Sequence, residues 1–266
     1  MSGHKRHLSF AFGITVCLVF LLVTAGCDFL GGSGGLGDDY VCQTTAADED
    51  YVDFGSMEGF TASSDWSVIE KIKLPSDFST PDRWHVFRGK AWEDKPGDLA
   101  LRLDEDHVYG WLNVSNDIIG DWKSVNYDTT ISLDVWYTIC MQYDASEETL
   151  ELYVNGDLKD SVTSVVLQDD SSNTNKLFFG GQDVDPILYS EGDLYHEADI
   201  VIAHHAWFQR LLTAGEISNY DGTLSSLNTA DLFFATNIGD SGITDASGNG
   251  HNGIIGNTPE FYIDDL

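Results

Sequence analysis

The chain has 266 residues, 42% of them hydrophobic, with seven Trp, eleven Tyr and fourteen Phe, so it can bury a sizeable core and is not a low-complexity chain. Acidic residues outnumber basic ones 44 to 13, for a formal charge of −31. So negative a surface repels nucleic acid and anionic lipid, and leaves a solvated coat or cation binding as readings of the acid.

A basic start (His4, Lys5, Arg6, His7) precedes an apolar run from Phe10 to Ala25. That run is shorter than the roughly 20 residues of a spanning helix, and small residues follow it, as in a secretory signal. Val23-Thr24-Ala25-Gly26-Cys27 resembles the lipobox of prokaryotic lipoproteins. The resemblance implies a signal peptide over residues 1–26, lipidation of Cys27, and an exported protein that meets the membrane only through its lipid. An uncleaved single-pass anchor is the alternative, and it also puts the rest of the chain outside the cytoplasm. Residues 27–50, opening with Gly31-Gly32-Ser33-Gly34-Gly35, read as a flexible tether. An exported compartment permits Cys42 and Cys140 to form a disulfide, but sequence alone leaves paired and free equally open. No CxxC or His/Cys zinc spacing is present.

Residues 51–266 read as one domain built from short strands. Trp66–Leu74, Trp84–Lys90, Leu99–Leu103 and Val108–Val114 come first. The best-marked stretch follows, Leu133 to Val162, read as a three-stranded antiparallel meander. Trp136 to Tyr143 is aromatic and β-branched, Leu150, Leu152 and Val154 alternate with Glu151 and Tyr153, and Asn155-Gly156 supplies the positive φ of a tight hairpin. One apolar face demands a second sheet to cover it. Lys176–Gly180, Asp199–Phe208 and Asp231–Ala235 complete the set, and turn residues separate nearly all of them. Thr213-Ala214-Gly215-Glu216 fits a capping box and predicts one short helix, through about Tyr220. His204 and His205, adjacent on a strand, must point to opposite faces; His204, in register with Ile200 and Ile202, is the expected core histidine.

Three segments carry a family resemblance. Trp136-Tyr137-Thr138-Ile139 with Leu150-Glu151-Leu152-Tyr153-Val154-Asn155-Gly156 is similar to the core of laminin-G-like jelly rolls. Phe208 to Ile217 resembles the family's R-x-L-(T/S)-x-x-E-I segment, and Asp245-Ala246-Ser247-Gly248-Asn249-Gly250 its D-x-S-G-N-G turn. That turn often opens such domains, whereas here it lies near the end. The resemblance implies an all-β, concanavalin A-like (laminin-G-like) jelly-roll sandwich of two antiparallel sheets with one short helix.

Relatives in that family often hold Ca²⁺ at a sandwich rim with hard oxygen ligands. The candidates here are Asp245 and Asn249, with Asp240 close in sequence; the competing reading is a structural turn in which Asp and Asn bond their own backbone. Asp183 and Asp185 form a weaker acidic loop. Trp92, Trp111, Trp122 and Tyr127, read as lying in or near loops, are candidates to stack on sugar, against packing as the alternative. Tyr109 shares Trp111's face of its strand, opposite Val108, Leu112 and Val114. Retaining hydrolases on this scaffold need two carboxylates about 5 Å apart, and the E-x-D-x-(x)-E pattern of the resembling enzymes does not occur, so no catalytic residue is assigned. The resulting expectation is a non-enzymatic, surface-anchored lipoprotein that binds extracellular glycan or protein, with Ca²⁺ as the candidate cofactor. A structural component of the cell envelope and a polysaccharide-cleaving enzyme are the alternatives.

Overall fold

The computed structural model describes residues 40–45, 50–78, 95–103, 106–115, 121–170, 173, 176–180, 199–256 and 259–264. Among the described residues the strands are β1 (Tyr40–Thr44), β2 (Tyr51–Ser56), β3 (Trp66–Lys73), β4 (Leu99–Leu103), β5 (His107–Asn113), β6 (Trp122–Asp128), β7 (Tyr137–Asp144) and β8 (Thr149–Val154). They continue as β9 (Asp157–Val162), β10 (Lys176–Phe179), β11 (Ile200–Phe208), β12 (Leu232–Ile238), β13 (Ile243–Asp245), β14 (Ile254–Gly256) and β15 (Glu260–Ile263). One helix, α1 (Ala214–Ser218), and a 3₁₀ turn at Leu224–Ser226 interrupt them.

The predicted meander lies within the larger layer, a sheet ordered β13-β12-β11-β3-β7-β8-β9, with β1 added beside β11 and β15 beside β1. Every strand pair is antiparallel. Asn155 and Gly156 adopt φ of 51° and 84°, the mirror-image turn that two-residue hairpins favour. The facing layer is split into two three-stranded sheets, β10-β2-β14 and β4-β5-β6. Leu150, Leu152, Val154 and Met141 of the large sheet share one buried cluster with Val52, Phe54, Leu99, Leu101, Val108, Leu112, Val125 and Phe179 of the facing layer. Each fully buried aliphatic side chain contributes about 1.5–3 kcal/mol, so this common interior is what holds the two layers together.

Gly110 sets how closely β5 approaches the large sheet. A Cβ there would stand 2.4 Å from the Sδ of Met141 on β7. The missing side chain lets β5 settle directly against β7, with His107, Tyr109 and Trp111 turned away from the core.

Several expectations change. The folded region includes Tyr40–Thr44, inside the stretch read as tether, because β1 pairs with β11 and β15. Those partners are distant in sequence, so five residues gave no local signal. Trp122 and Tyr127 lie on β6, not in loops. The predicted strand Trp84–Lys90 falls outside the described residues, as do Cys27, Trp92, Asp183 and Asp185.

The cysteines resolve toward the unpaired alternative. Both are buried free thiols. Cys42 joins the interior cluster, whereas Cys140 joins the cluster on the other side of the large sheet. Between β1 and β7 stand β11 and β3, three strand spacings and so roughly 14 Å, beyond the ~7 Å that a disulfide tolerates between Cα atoms.

Strand β11 also corrects the histidine assignment. Its register with β3 shifts between Ile202 and His204, so the simple alternation from Ile200 breaks there. His205, opposite Glu70, now enters the interior, and His204 turns outward to Tyr220. The two still point to opposite faces, and His204 is packed as expected but on the side away from Ile200 and Ile202.

Candidate functional site

The outward face of β4-β5-β6 gathers the polar and aromatic groups best placed to meet a ligand. On β5, Val108 and Leu112 go into the core and are fully buried, which sends His107, Tyr109 and Trp111 to the opposite side, where each is half-buried. These three rings form one continuous stack along the strand. His107 and Tyr109 have centroids 4.9 Å apart at 26°, and Tyr109 and Trp111 5.6 Å apart at 12°. Near-parallel rings at this spacing are offset-stacked, a geometry worth about 0.5–1.5 kcal/mol per pair beyond burial. The cost of lining up the rings is therefore met before any ligand arrives.

Register puts polar side chains on both flanks. On β4, Arg102 sits opposite Tyr109, its Cζ 5.7 Å from the ring centroid. On β6, Ser124, Asn126 and Asp128 stand opposite Trp111, Tyr109 and His107. Asp128 Oδ1 lies 4.0 Å from His107 Nε2 and accepts from Asn126 Nδ2 at 3.3 Å, with 72% of the Asp128 side chain exposed. The face thus combines aromatic surface with guanidinium, amide, hydroxyl and carboxylate groups, the mixture expected where a ligand has both apolar and hydroxylated sides.

Of the residues expected to meet sugar, Trp111 belongs to this row. Trp122 shares its face by strand alternation, at the β6 end that pairs with Asn113. Tyr127 does not join them: it pairs with Val108, packs on the core, and carries Lys159 Nζ 5.1 Å above its ring. His107 and Arg102 were missed; the spacing of His107, Tyr109 and Trp111 at every second position was the available signal for the first.

The rim turn at Asp245 is built as a closed knot. Asp245 Oδ1 accepts from Ser247 N at 2.9 Å, Ser247 Oγ at 2.7 Å and Ala235 N at 3.4 Å, and Oδ2 from Gly250 N at 2.9 Å and His251 N at 3.1 Å. Partial burial works against the charge, but the hydrogen bonds from Ser247, His251 and Ala235 hold this carboxyl below its usual range. Asn249 does not turn its amide nitrogen toward Asp245 and donates instead to Phe233 O at 2.7 Å. Asp240 accepts from Ser241 Oγ at the opposite end of the β12–β13 hairpin. Both Asp245 oxygens thus accept hydrogen bonds within the turn itself. No group of three or more His, Cys, Asp or Glu able to hold a metal occurs among the described residues.

Two further polar pairs flank β11. In the interior, Trp207 Nε1, which can only donate, bonds His205 Nε2. This leaves the proton on Nδ1, 3.4 Å from Glu70 Oε2. On the outer side His204 Nδ1 is hydrogen-bonded to the Tyr220 hydroxyl, and burial, reinforced by His205, pushes the His204 pKa down to about 3. All of these side chains are buried, which suits them to structure and not to ligand contact.

A laminin G family described as the concanavalin A-like lectin/glucanases superfamily matches residues 46–218, more than half of the chain. No curated protein matches it. Among solved structures, a candidate carbohydrate binding protein from Bacteroides ovatus is similar, with a TM-score of 0.59 and 13% identity over 85% of this chain and 60% of that one. The native heptameric SAP-like pentraxin of Limulus polyphemus has a TM-score of 0.50 and 14% identity over 68% of this chain and 81% of its own.

Proposed function

The chain belongs to the concanavalin A-like lectin/glucanases superfamily, and on that premise we propose that it is a glycan-binding domain whose ligand docks on the outward face of β4-β5-β6. The carrying observation is the stacked row His107–Tyr109–Trp111, flanked in register by Arg102, Asn126 and Asp128. Pyranose rings have apolar C–H faces and hydroxylated rims, and this surface offers aromatic carbon beside hydrogen-bonding groups. The carbohydrate-binding description of the Bacteroides ovatus protein, known to share the fold alone, is in keeping with the reading.

The proposal is binding without bond cleavage, since no carboxylate pair of the kind a retaining hydrolase uses can be assigned from the sequence. It also includes display outside the cell through lipidated Cys27, supported by the basic, apolar and small-residue pattern of residues 1–27. Metabolic labelling with a fatty acid, lost on Cys27→Ser, tests the anchor.

A glycan array probed with the domain, followed by titration of the best binder into Trp111→Ala, tests the binding role. The expected result is saturable binding that weakens at least about tenfold in the variant, equivalent to about 1.4 kcal/mol. Absence of binding to any glycan, with retention instead by envelope proteins, would favour a structural role.

A further inference from the structure

The same face also narrows the class of glycan, an inference that rests on the reading above. Anionic saccharides are held by clustered Arg or Lys, whose charge-assisted, often bidentate hydrogen bonds meet carboxylate or sulfate. Among the described residues of β4, β5 and β6, the cation registered with the aromatic row is Arg102, placed over Tyr109. Lys123 alternates to the other side of β6, opposite Leu112, and bonds Asp121 at 3.0 Å. Lys159 of the neighbouring β9 pairs with Asp157 at 3.1 Å and caps Tyr127, also away from the row.

Acid surrounds the same edge. Asp128 stands on the face, and Asp160 on β9 reaches the β6 edge, where its Oδ2 accepts from Asn126 N at 2.8 Å. Behind these local charges lies the field of a chain with 44 acidic and 13 basic residues. Apart from Arg102, a polyanion approaching this surface meets the net repulsion of the acidic excess, felt within a Debye length of about 8–10 Å at ordinary salt. An uncharged chain does not. The shape of the site is directional as well: the rings follow β5, so successive contacts fall along the strand axis and not around one point.

We propose that the outward face of β4-β5-β6 binds an uncharged oligosaccharide lying along β5 and discriminates against uronic, sialylated and sulfated chains. Neutral glucan and mannan oligomers of increasing length, and an oligouronate and a heparin fragment of matched length, are titrated calorimetrically into the domain at low and at high salt. Neutral oligomers should bind with affinity that rises with length and then levels off, and that changes less than about twofold with salt. The anionic probes should bind at least about tenfold more weakly at low salt, with the gap narrowing as salt screens the repulsion.

Trp111→Ala should lose at least about tenfold for the neutral ligand and Trp111→Phe should recover most of it, with matching melting curves showing that both are folded. Anionic probes that bind as tightly as neutral ones at low salt and weaken with added salt would overturn this inference and leave glycan binding standing. Neutral binding untouched by Trp111→Ala would overturn the placement on this face. No binding by either class would overturn the functional reading itself.

Discussion

The outward faces of the two layers begin from similar residues and end differently. On the large sheet, His204, Cys140, Ile69 and Phe208 point away from the interior, and the chain returns to cover them. Leu212, Ile217 of α1, Tyr220 and Leu227 form a second buried cluster over that surface. On β4-β5-β6, His107, Tyr109 and Trp111 also point away from the interior, yet remain half-buried beside side chains able to reach a ligand. A buried histidine under a roof of its own chain is a stability element; a histidine in a partly exposed aromatic row lies on the surface where we propose recognition. Residue type did not separate these cases, and the route of the chain after β11 did.

The comparison is broken most severely by removing the roof. Tyr220→Ala deletes a buried aromatic side chain and should cost about 3–5 kcal/mol, measured by denaturant unfolding. It should also admit thiol reagents to Cys140, which is fully buried in the same cluster, while the affinity for glycan per folded molecule stays unchanged.

Acid should act on the same roof. His204 has a pKa lowered to about 3 from an ordinary 6.5, so the folded state resists its protonation and the unfolded state does not. The stability it supports is present above pH 6.5 and is lost as pH falls from there toward 3, on the order of a few kcal/mol. The groups around it are Tyr220 and Asp221 on the roof, Lys71 across on β3, and His205 beside it. Replacing His204 with Asn should flatten the fall in melting temperature over that window; an unchanged slope would assign the acid sensitivity to another group.

The outward face of β4-β5-β6 should respond in the opposite sense. Trp111→Ala should reduce glycan affinity by about 1.4–3 kcal/mol while lowering unfolding free energy by about 1–2 kcal/mol, the worth of its stack on Tyr109 and its partial burial. A loss of stability larger than the loss of affinity would place Trp111 with the packed aromatics.

The smallest effect is expected at the roof's edge. Thr213 Oγ1 accepts from Glu216 N at 3.2 Å while Glu216 Oε2 accepts from Thr213 N at 2.9 Å, and Arg210 holds Glu216 from the side at 2.6 Å. Thr213→Ala should cost about 1 kcal/mol in denaturant unfolding and leave binding alone.

What could be read from the chain was whatever is decided locally. The Asn155-Gly156 hairpin, the Thr213 capping box and the alternation of Leu150, Leu152 and Val154 depend on neighbours within a few residues, and each takes its expected form. Where long-range pairing decides, the reading failed. Residues 40–44 become a strand only because β11 and β15 flank them, and β6, with its mixed Trp-Lys-Ser-Val-Asn-Tyr-Asp sequence, only because β5 does. One bulge between Ile202 and His204 exchanged the places of two histidines, since a single inserted residue reverses every later side chain on a strand. At the site, the shared face of Tyr109 and Trp111 was legible from period two. The arrival of Arg102 from β4 and Asp128 from β6 was not, because register between strands is absent from either strand alone.

Amide hydrogen exchange with and without a saturating neutral oligosaccharide addresses the location of the ligand most directly. Added protection should fall on residues 99–103, 107–113 and 122–128, with the amides of residues 212–227 and of the Asp245 turn unchanged. Protection confined to the Asp245 turn or to the roof, with β4-β5-β6 unaffected, would contradict the account.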